Sequence, residues 1–161
     1  MSLLAEVRPF SRAFPEGTRR VTATGEWDTD VLARLLLGVH GLRTAAVTAE
    51  VDAGELGSPD TPERALRDYL DTGIPPLWTS PWSGHRAVVL GGTLSGPEGT
   101  IASIVDGSMS LPVHLQPLDW LAAGLREAHG GVHLDVAPGD VEVAAQVVLS
   151  ASLECLRPYK K

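Results

Sequence analysis

Two apolar runs in the middle of the chain constrain its fold more than any other feature. The first run covers residues 87–90 (AVVL), and the second, residues 100–105, alternates apolar and polar side chains. The stretch between them, residues 91–99, is rich in glycine and predicts a long hairpin loop. Apolar runs of this length, joined by a glycine-rich turn, are typical of paired strands. The segment therefore predicts two neighbouring antiparallel strands.

Each of these predicted strands carries an ionisable residue at one end. His85 precedes the first run, and Asp106 directly follows the second. In an antiparallel pair the start of one strand lies beside the end of the next, so we expect the two side chains within about 3–6 Å. An imidazole held by a carboxylate is the arrangement of a general base and its orienting group. The alternative is an exposed histidine and an aspartate that caps a turn before Gly107.

The remaining segments predict helices and strands in separate groups. Three segments have the helical spacing of apolar residues: residues 29–40, 62–72 and 116–129. Three others alternate as strands do: residues 19–24, 44–51 and 132–136. Asp28 or Thr29 is the expected N-cap of the first helix. This order predicts an α+β fold in which helices pack on a mostly antiparallel β-sheet.

A long alternating run precedes the C-terminus. Residues 141–155 place apolar side chains, Leu149 and Cys155 among them, on one face and mostly polar ones on the other, which predicts a half-buried strand. Val148 is then expected on the face opposite Leu149. Cys155 is the only cysteine, which excludes an internal disulfide, and we predict a buried, unreactive thiol. An exposed strand edge needs a cover, so a homodimer that pairs through residues 141–155 is one alternative.

Length and charge narrow the class of protein. A chain of 161 residues is expected to form a single domain, with an N-terminal arm over residues 1–17 and an α+β core over about 18–157. The net charge of −7 argues against nucleic acids and anionic membranes as partners. No apolar stretch approaches the roughly 20 residues that span a bilayer, and no secretory signal is recognisable. We expect a cytoplasmic protein.

Neither a metal ion nor a cofactor is predicted. The four histidines other than His85 lie on different predicted elements, without the spacing of metal ligands on one helix: His40, His114, His129 and His133. The glycine-rich stretch over residues 91–99 lacks the lysine and the strand-to-helix context of a phosphate-binding loop.

Several short motifs resemble a known family in their order along the chain. The motif WDTD at residues 27–30 precedes a leucine-rich helix that ends near Gly41, and later motifs are TGIP at 72–75, GH at 84–85 and IVD at 104–106. This order resembles the bacteriocin-leader-processing cysteine peptidases. The likeness covers roughly residues 24–136. It implies a bacterial source and a papain-like arrangement, with His85 and Asp106 beside the start of the first helix.

The nucleophile position departs from that family. Thr29 stands where such enzymes have cysteine, and residues 22–24 contain no glutamine for an oxyanion hole. A thiolate gains from a helix N-terminus and a nearby imidazole, whereas the alkoxide of threonine is far harder to form. The resemblance therefore implies a degenerate enzyme that has lost its thiol chemistry.

Tryptophans near proline complete the candidate site. Trp78 and Trp82 lie in a proline-rich bend and predict either an aromatic groove or a lid over the core, and Trp27 precedes the first helix. The leading hypothesis is a non-catalytic domain that binds a peptide or small molecule between helix 29–40 and the sheet, with these three tryptophans as ligand-binding residues. One alternative is a hydrolase that uses His85 and Asp106 with a carboxyl or hydroxyl group from residues 28–30. Another is a structural homodimer.

Overall fold

An eight-stranded antiparallel sheet organises the computed structural model, which describes residues 2–10, 14, 17–77, 83–105 and 113–158. The strands are β1 (Arg8–Pro9), β2 (Arg19–Thr24), β3 (Thr44–Asp52), β4 (His85–Ser95), β5 (Thr100–Val105), β6 (His114–Pro117), β7 (Val132–Val136) and β8 (Glu154–Leu156). Their order is β6-β5-β4-β3-β7-β2-β8, and β1 pairs with β4. Every described pairing is antiparallel. The predicted α+β class is confirmed, whereas the papain-like arrangement stays a prediction.

Helices cover the sheet from its two sides. The described residues form five α-helices, namely α1 (Leu3–Glu6), α2 (Thr29–Val39), α3 (Glu63–Thr72), α4 (Leu118–Ala128) and α5 (Val141–Ser150), with short 3-10 turns at Ala53–Glu55 and Pro138–Asp140. Helices α2, α4 and α5 share one large apolar core with the inward side chains of the sheet. Helices α1 and α3 form a smaller core with β5 on the opposite side. None of the described helices is long and apolar enough to cross a membrane.

Helix α2 begins and ends close to the predicted residues. The Asp28 carboxylate accepts a hydrogen bond from the Val31 backbone N–H at 2.8 Å, so Asp28, one of the two predicted N-caps, caps the helix. Five apolar side chains of this helix are buried in the core: Val31, Leu32, Leu35, Leu36 and Val39. These side chains fill most of the space between α2 and the sheet. A cavity of about 240 Å³ opens at the edge of that space, between α2 and the ends of β4 and β5, where the predicted cleft was expected.

The predicted strand over residues 141–155 is wrong, because the segment forms helix α5, a turn and the three-residue strand β8. Helix α5 buries Ala144, Ala145 and Val148, which are spaced as one face of a helix, and leaves Leu149 49% exposed. The environments expected for Val148 and Leu149 are therefore reversed. The segment also does not offer the long edge strand on which the predicted homodimer depended. Cys155 lies in β8, partly buried against the large core.

The predicted loop over residues 91–99 is also wrong. Strand β4 continues through Gly91 and Gly92 to Ser95, so only residues 96–99 turn back to β5. A Cβ atom on Gly92 would lie 2.1 Å from the carbonyl oxygen of Arg8 in β1. Glycine is used here because the backbone of the N-terminal arm approaches the strand closely, and not because the chain turns.

Three smaller elements, α1, β1 and β6, were not predicted. The N-terminal arm forms α1 and β1, and it buries Leu3 and Phe10. Residues 114–117 form β6 and pair with β5, so α4 begins at Leu118 and not at Gln116.

Candidate functional site

A row of polar side chains crosses the face of the sheet opposite α2, α4 and α5. In β3, Val47, Ala49 and Val51 point into the large core, so the alternate residues, Glu50 among them, point to the other face. Register places side chains from neighbouring strands beside these: Thr22 of β2, His133 of β7 and His85 of β4. We call Thr22, His133, Glu50 and His85 the polar cluster.

Hydrogen bonds connect three members of the polar cluster in a chain. His133 Nε2 lies 2.9 Å from Glu50 Oε2, and His133 Nδ1 lies 2.8 Å from the Thr22 hydroxyl oxygen. An ionised carboxylate only accepts, so with a neutral imidazole Nε2 carries the proton and Nδ1 accepts from the Thr22 hydroxyl. His85 Nε2 lies 3.9 Å from Glu50 Oε1. One carboxylate thus contacts two imidazoles from neighbouring strands.

An ion pair lies beside this chain on the same face. Arg20 donates from Nε to Asp135 Oδ1 at 2.9 Å and from Nη2 to Oδ2 at 3.2 Å. The hydrogen bond with Asp135 raises the pKa of the Arg20 guanidinium. Because Arg20 and Thr22 are two residues apart in β2, the cationic group and the hydroxyl lie side by side.

The polar cluster is not arranged as a metal centre. Across the described ranges, no group of three or more His, Cys, Asp and Glu side chains is positioned to hold a metal ion. What the arrangement offers chemically is proton transfer: a hydroxyl donates to an imidazole whose other nitrogen donates to a carboxylate.

His85 and Thr29 occupy their predicted elements but lie on different sides of the sheet. His85 begins β4 with its side chain 57% exposed, on the face of Glu50. Thr29 is the first residue of α2, which packs against the opposite face. Within the described ranges, no hydrogen bond joins the two side chains. Asp106 lies outside the described residues, so its contact with His85 stays a prediction.

Trp27 is the one predicted ligand-binding tryptophan that the structure describes, since Trp78 and Trp82 lie outside the described residues. Trp27 is only 2% exposed. Its indole Nε1 donates to the Gly130 carbonyl oxygen at 2.9 Å, which ties the loop before α2 to the end of α4. This tryptophan therefore belongs mainly to the core and presents only a small surface outward.

A cleft of about 550 Å³ opens where the loop before α2 meets the end of α4. It is larger than two other described cavities, of about 180 and 240 Å³. The residues that line it are Gly25, Glu26, Trp27, Asp28, Leu125, Arg126 and His129. We call it the helix-end cleft. Arg126 Nη1 donates to the Trp27 carbonyl oxygen at 2.8 Å and so connects its two walls.

The sequence offered different amounts of signal for the two sites. Trp27 and Asp28 of the helix-end cleft were singled out, but Arg126 and His129 were not, because they come from a distant helix. Thr22, Glu50 and His133 were missed since they lie on three separate strands with no local motif. The one available signal was alternation, which places each of them on the polar face of its strand.

Comparison with known proteins gives a family but no function. The model of the Family of unknown function (DUF6885) matches residues 7–157. No curated protein and no solved structure matches the chain.

Proposed function

This chain belongs to the DUF6885 family, and we propose that it is a non-catalytic binding domain that receives a peptide or small ligand in the helix-end cleft. The volume of the cleft, about 550 Å³, is the observation that carries the proposal. Ligand sites in proteins are typically concave, of about 300–1,000 Å³, with an apolar lining and a few polar groups. Trp27 and Leu125 lie beneath this cleft and are almost fully buried, and charged side chains stand around them. A cytoplasmic location is part of this proposal.

The chemistry beside the cleft supports binding more than catalysis. Thr29 follows the cleft residue Asp28, and no imidazole in the described residues hydrogen-bonds to its hydroxyl. Without a base, a threonine hydroxyl is a poor nucleophile at neutral pH. The cysteine-peptidase resemblance suggests that Thr29 occupies the position of a lost nucleophile. This part of the proposal concerns the helix start alone, because His85 lies on the opposite side of the sheet.

A fragment screen with a blocked variant tests this proposal. Saturation-transfer NMR with a library of small polar and aromatic fragments is expected to give binders of the natural chain. Glu26→Trp places a large side chain at the exposed rim of the cleft and is expected to remove most of these signals. Glu55→Trp, at an exposed site outside the cleft, is the matched control and is expected to keep them. Equal binding by both variants would contradict a ligand site in this cleft.

A hydrolase is the second candidate, and the hydrogen-bonded chain from Thr22 through His133 to Glu50 is the observation that favours it. Here, His133 Nδ1 takes the proton of the Thr22 hydroxyl as the Thr22 oxygen attacks an ester carbonyl, while Glu50 holds the imidazole. The imidazolium then gives this proton to the leaving alcohol, and water, deprotonated by the same imidazole, releases the acyl group from Thr22 as the free acid. Arg20, adjacent on the same face, is the group that would stabilise the oxyanion.

A pair of threonines makes this second candidate testable. Thr22 and Thr48 both lie opposite His133 in the sheet, but only Thr22 is hydrogen-bonded to it. The candidate predicts that the natural chain hydrolyses p-nitrophenyl acetate, that Thr22→Val lowers the rate by about 100-fold or more, and that Thr48→Val leaves it unchanged. Equal rates for the natural chain and Thr22→Val would exclude Thr22 as a nucleophile.

A further inference from the structure

The helix-end cleft separates acidic side chains from basic ones. Glu26 and Asp28 stand on the loop before α2, and Arg126 and His129 stand on the last turn and C-cap of α4. All four residues are exposed at the rim. One wall of the cleft is therefore anionic, and the facing wall carries a guanidinium and an imidazole.

The two walls do not neutralise each other. Within the described part of the chain, no ion pair joins Glu26 or Asp28 to Arg126 or His129. Other arginines do pair with carboxylates, as the ion pairs Arg20–Asp135, Arg43–Asp140, Arg67–Glu6 and Arg157–Glu142 show. The cleft thus carries charges of both signs that form no ion pair with each other, beside a space large enough to admit a ligand, and the Arg126 guanidinium reaches the loop between Glu26 and Asp28.

Arg126 and Asp28 are each held in place by a hydrogen bond, and each keeps further donor or acceptor atoms for a ligand. Arg126 uses Nη1 for the Trp27 carbonyl oxygen, and a guanidinium has five N–H donors in a rigid fork, so donors remain for a carboxylate. Asp28 uses Oδ1 for the Val31 N–H, so its Oδ2 remains for a cation. Both groups are oriented before a ligand arrives, which lowers the entropy cost of binding.

We propose that the ligand of the helix-end cleft is a zwitterion, namely a free α-amino acid or a short peptide with both ends unblocked. Its carboxylate lies on Arg126 and His129, and its ammonium group lies on Glu26 and Asp28. This inference rests on the proposed binding function and names the chemical class of the ligand.

Because the cleft exposes little apolar surface, the charged ends of the ligand determine how it is recognised. Trp27 is 2% exposed and Leu125 is fully buried, so burial of a ligand side chain against them removes little apolar surface from water. Recognition then depends on the two charged ends, and we expect weak selectivity for side chains. Because the rim is exposed, we also expect affinity to fall as salt is raised.

Stabilisation of the two helix ends explains only part of the charge arrangement. Asp28 caps α2, and Arg126 lies in the last turn of α4, where a cation is favourable. Glu26 lies outside the first turn of α2 and makes no hydrogen bond in the described residues. Stabilisation of the helix ends therefore does not account for Glu26, which also lines the cleft.

Calorimetric titration with blocked and unblocked dipeptides tests the inference. Alanylphenylalanine with both ends free is expected to bind, and its N-acetylated and C-amidated forms are each expected to bind about 10-fold more weakly, as loss of one charge-assisted contact implies. Arg126→Gln is expected to remove the difference between acid and amide. Glu26→Gln is expected to remove the difference between the free and acetylated forms.

Control variants outside the cleft, and the outcomes below, distinguish failure of the zwitterion proposal from failure of the proposed binding function. Arg64→Gln and Glu55→Gln change exposed residues outside the cleft and are expected to preserve both differences. Equal affinity for all three peptides would overturn the zwitterion and leave the binding function standing. Absence of binding by the unblocked peptide at millimolar concentration would also overturn the zwitterion, whereas the fragment screen with Glu26→Trp decides the cleft itself.

Discussion

Val148 and Leu149 are adjacent in α5 but lie in opposite environments, since Val148 is fully buried and Leu149 is 49% exposed. Val148→Ala is expected to lower the free energy of unfolding by about 2 kcal/mol, through lost burial and a cavity in the large core. Leu149→Ala is expected to cost less than about 1 kcal/mol, because alanine also favours the helix. Urea unfolding measures both, and a larger loss for Leu149→Ala would contradict the helix.

Gly57 faces the ring of Trp120 so closely that no side chain fits between them. A Cβ atom at Gly57 would lie 1.7 Å from the ring, and the Gln116 side chain bonds both the N–H and the carbonyl of Gly57, at 2.9 and 2.8 Å. Gly57→Ala is therefore expected to destabilise the fold by about 1–3 kcal/mol through overpacking. Gly41→Ala, whose Cβ atom would meet its nearest neighbour at an ordinary 3.5 Å, is the control. Equal thermal stability of the two variants would contradict this packing.

Asp140 links stability to pH through Arg43. Hydrogen bonds from the Arg43 side chain and backbone hold the pKa of the Asp140 carboxyl below its usual range. A lowered pKa in the folded state gives stability that is fully present above the unfolded pKa of about 3.9 and is lost as the pH falls through the folded pKa. Asp140→Asn is expected to lose at most about 1 kcal/mol at pH 7, since the pair is partly exposed.

The same substitution tests how the stability due to Asp140 changes at acid pH. The stability difference between the natural chain and Asp140→Asn is expected to shrink as the pH approaches the folded pKa, in urea unfolding followed by circular dichroism. Asp60→Asn, at an exposed site, controls for the general effect of losing a carboxylate. A difference independent of pH would show that Asp140 acts by packing and not by charge.

Thr29→Cys tests what the start of α2 does to a thiol. A cysteine at this first helical position is expected to have a pKa below the reference of about 8.5, because the helix dipole favours the thiolate. Burial raises the pKa of the natural Cys155 thiol. In this variant, iodoacetamide at neutral pH is therefore expected to alkylate the introduced thiol at position 29 faster than Cys155, with rates read by mass spectrometry.

His85 supplies the second arm of that experiment. Since His85 lies on the other face of the sheet, His85→Ala is expected to leave the alkylation rate at position 29 unchanged. A rate that falls on this substitution would favour the peptidase resemblance, in which the imidazole stands beside the nucleophile position. A thiol at position 29 that reacts no faster than Cys155 would contradict the expected effect of the helix end.

Local periodicity predicted the elements whose pattern fits one structure only. Residues 29–40 match a helical face and form α2, and residues 132–136 alternate and form β7. The segment at residues 141–150 fits two patterns, because its valines and alanines satisfy both alternation and the helical spacing of Ala144, Ala145 and Val148. Which side chains are buried determines whether the helix or the strand forms. Burial depends on tertiary packing, which a short stretch of sequence does not reveal.

The candidate sites depend on topology in the same way. Thr22, His133 and Glu50 meet because β7 lies between β2 and β3, an order that skips along the chain. Arg126 reaches the loop before α2 because Trp27 bonds Gly130 at the end of α4. The Gly91–Gly92 pair resembles a turn in sequence, but pairing with β5 and with β1 makes it part of a strand.

Ligand mapping by two-dimensional amide NMR tests the central claim, that the helix-end cleft is the binding site, most directly. Titration of the isotope-labelled chain with alanylphenylalanine is predicted to shift the backbone amides of residues 25–29 and 125–130, with small changes elsewhere. Shifts confined to the polar face around Glu50 and His133 would contradict the cleft as the binding site, whereas the absence of saturable shifts would contradict the zwitterion as its ligand.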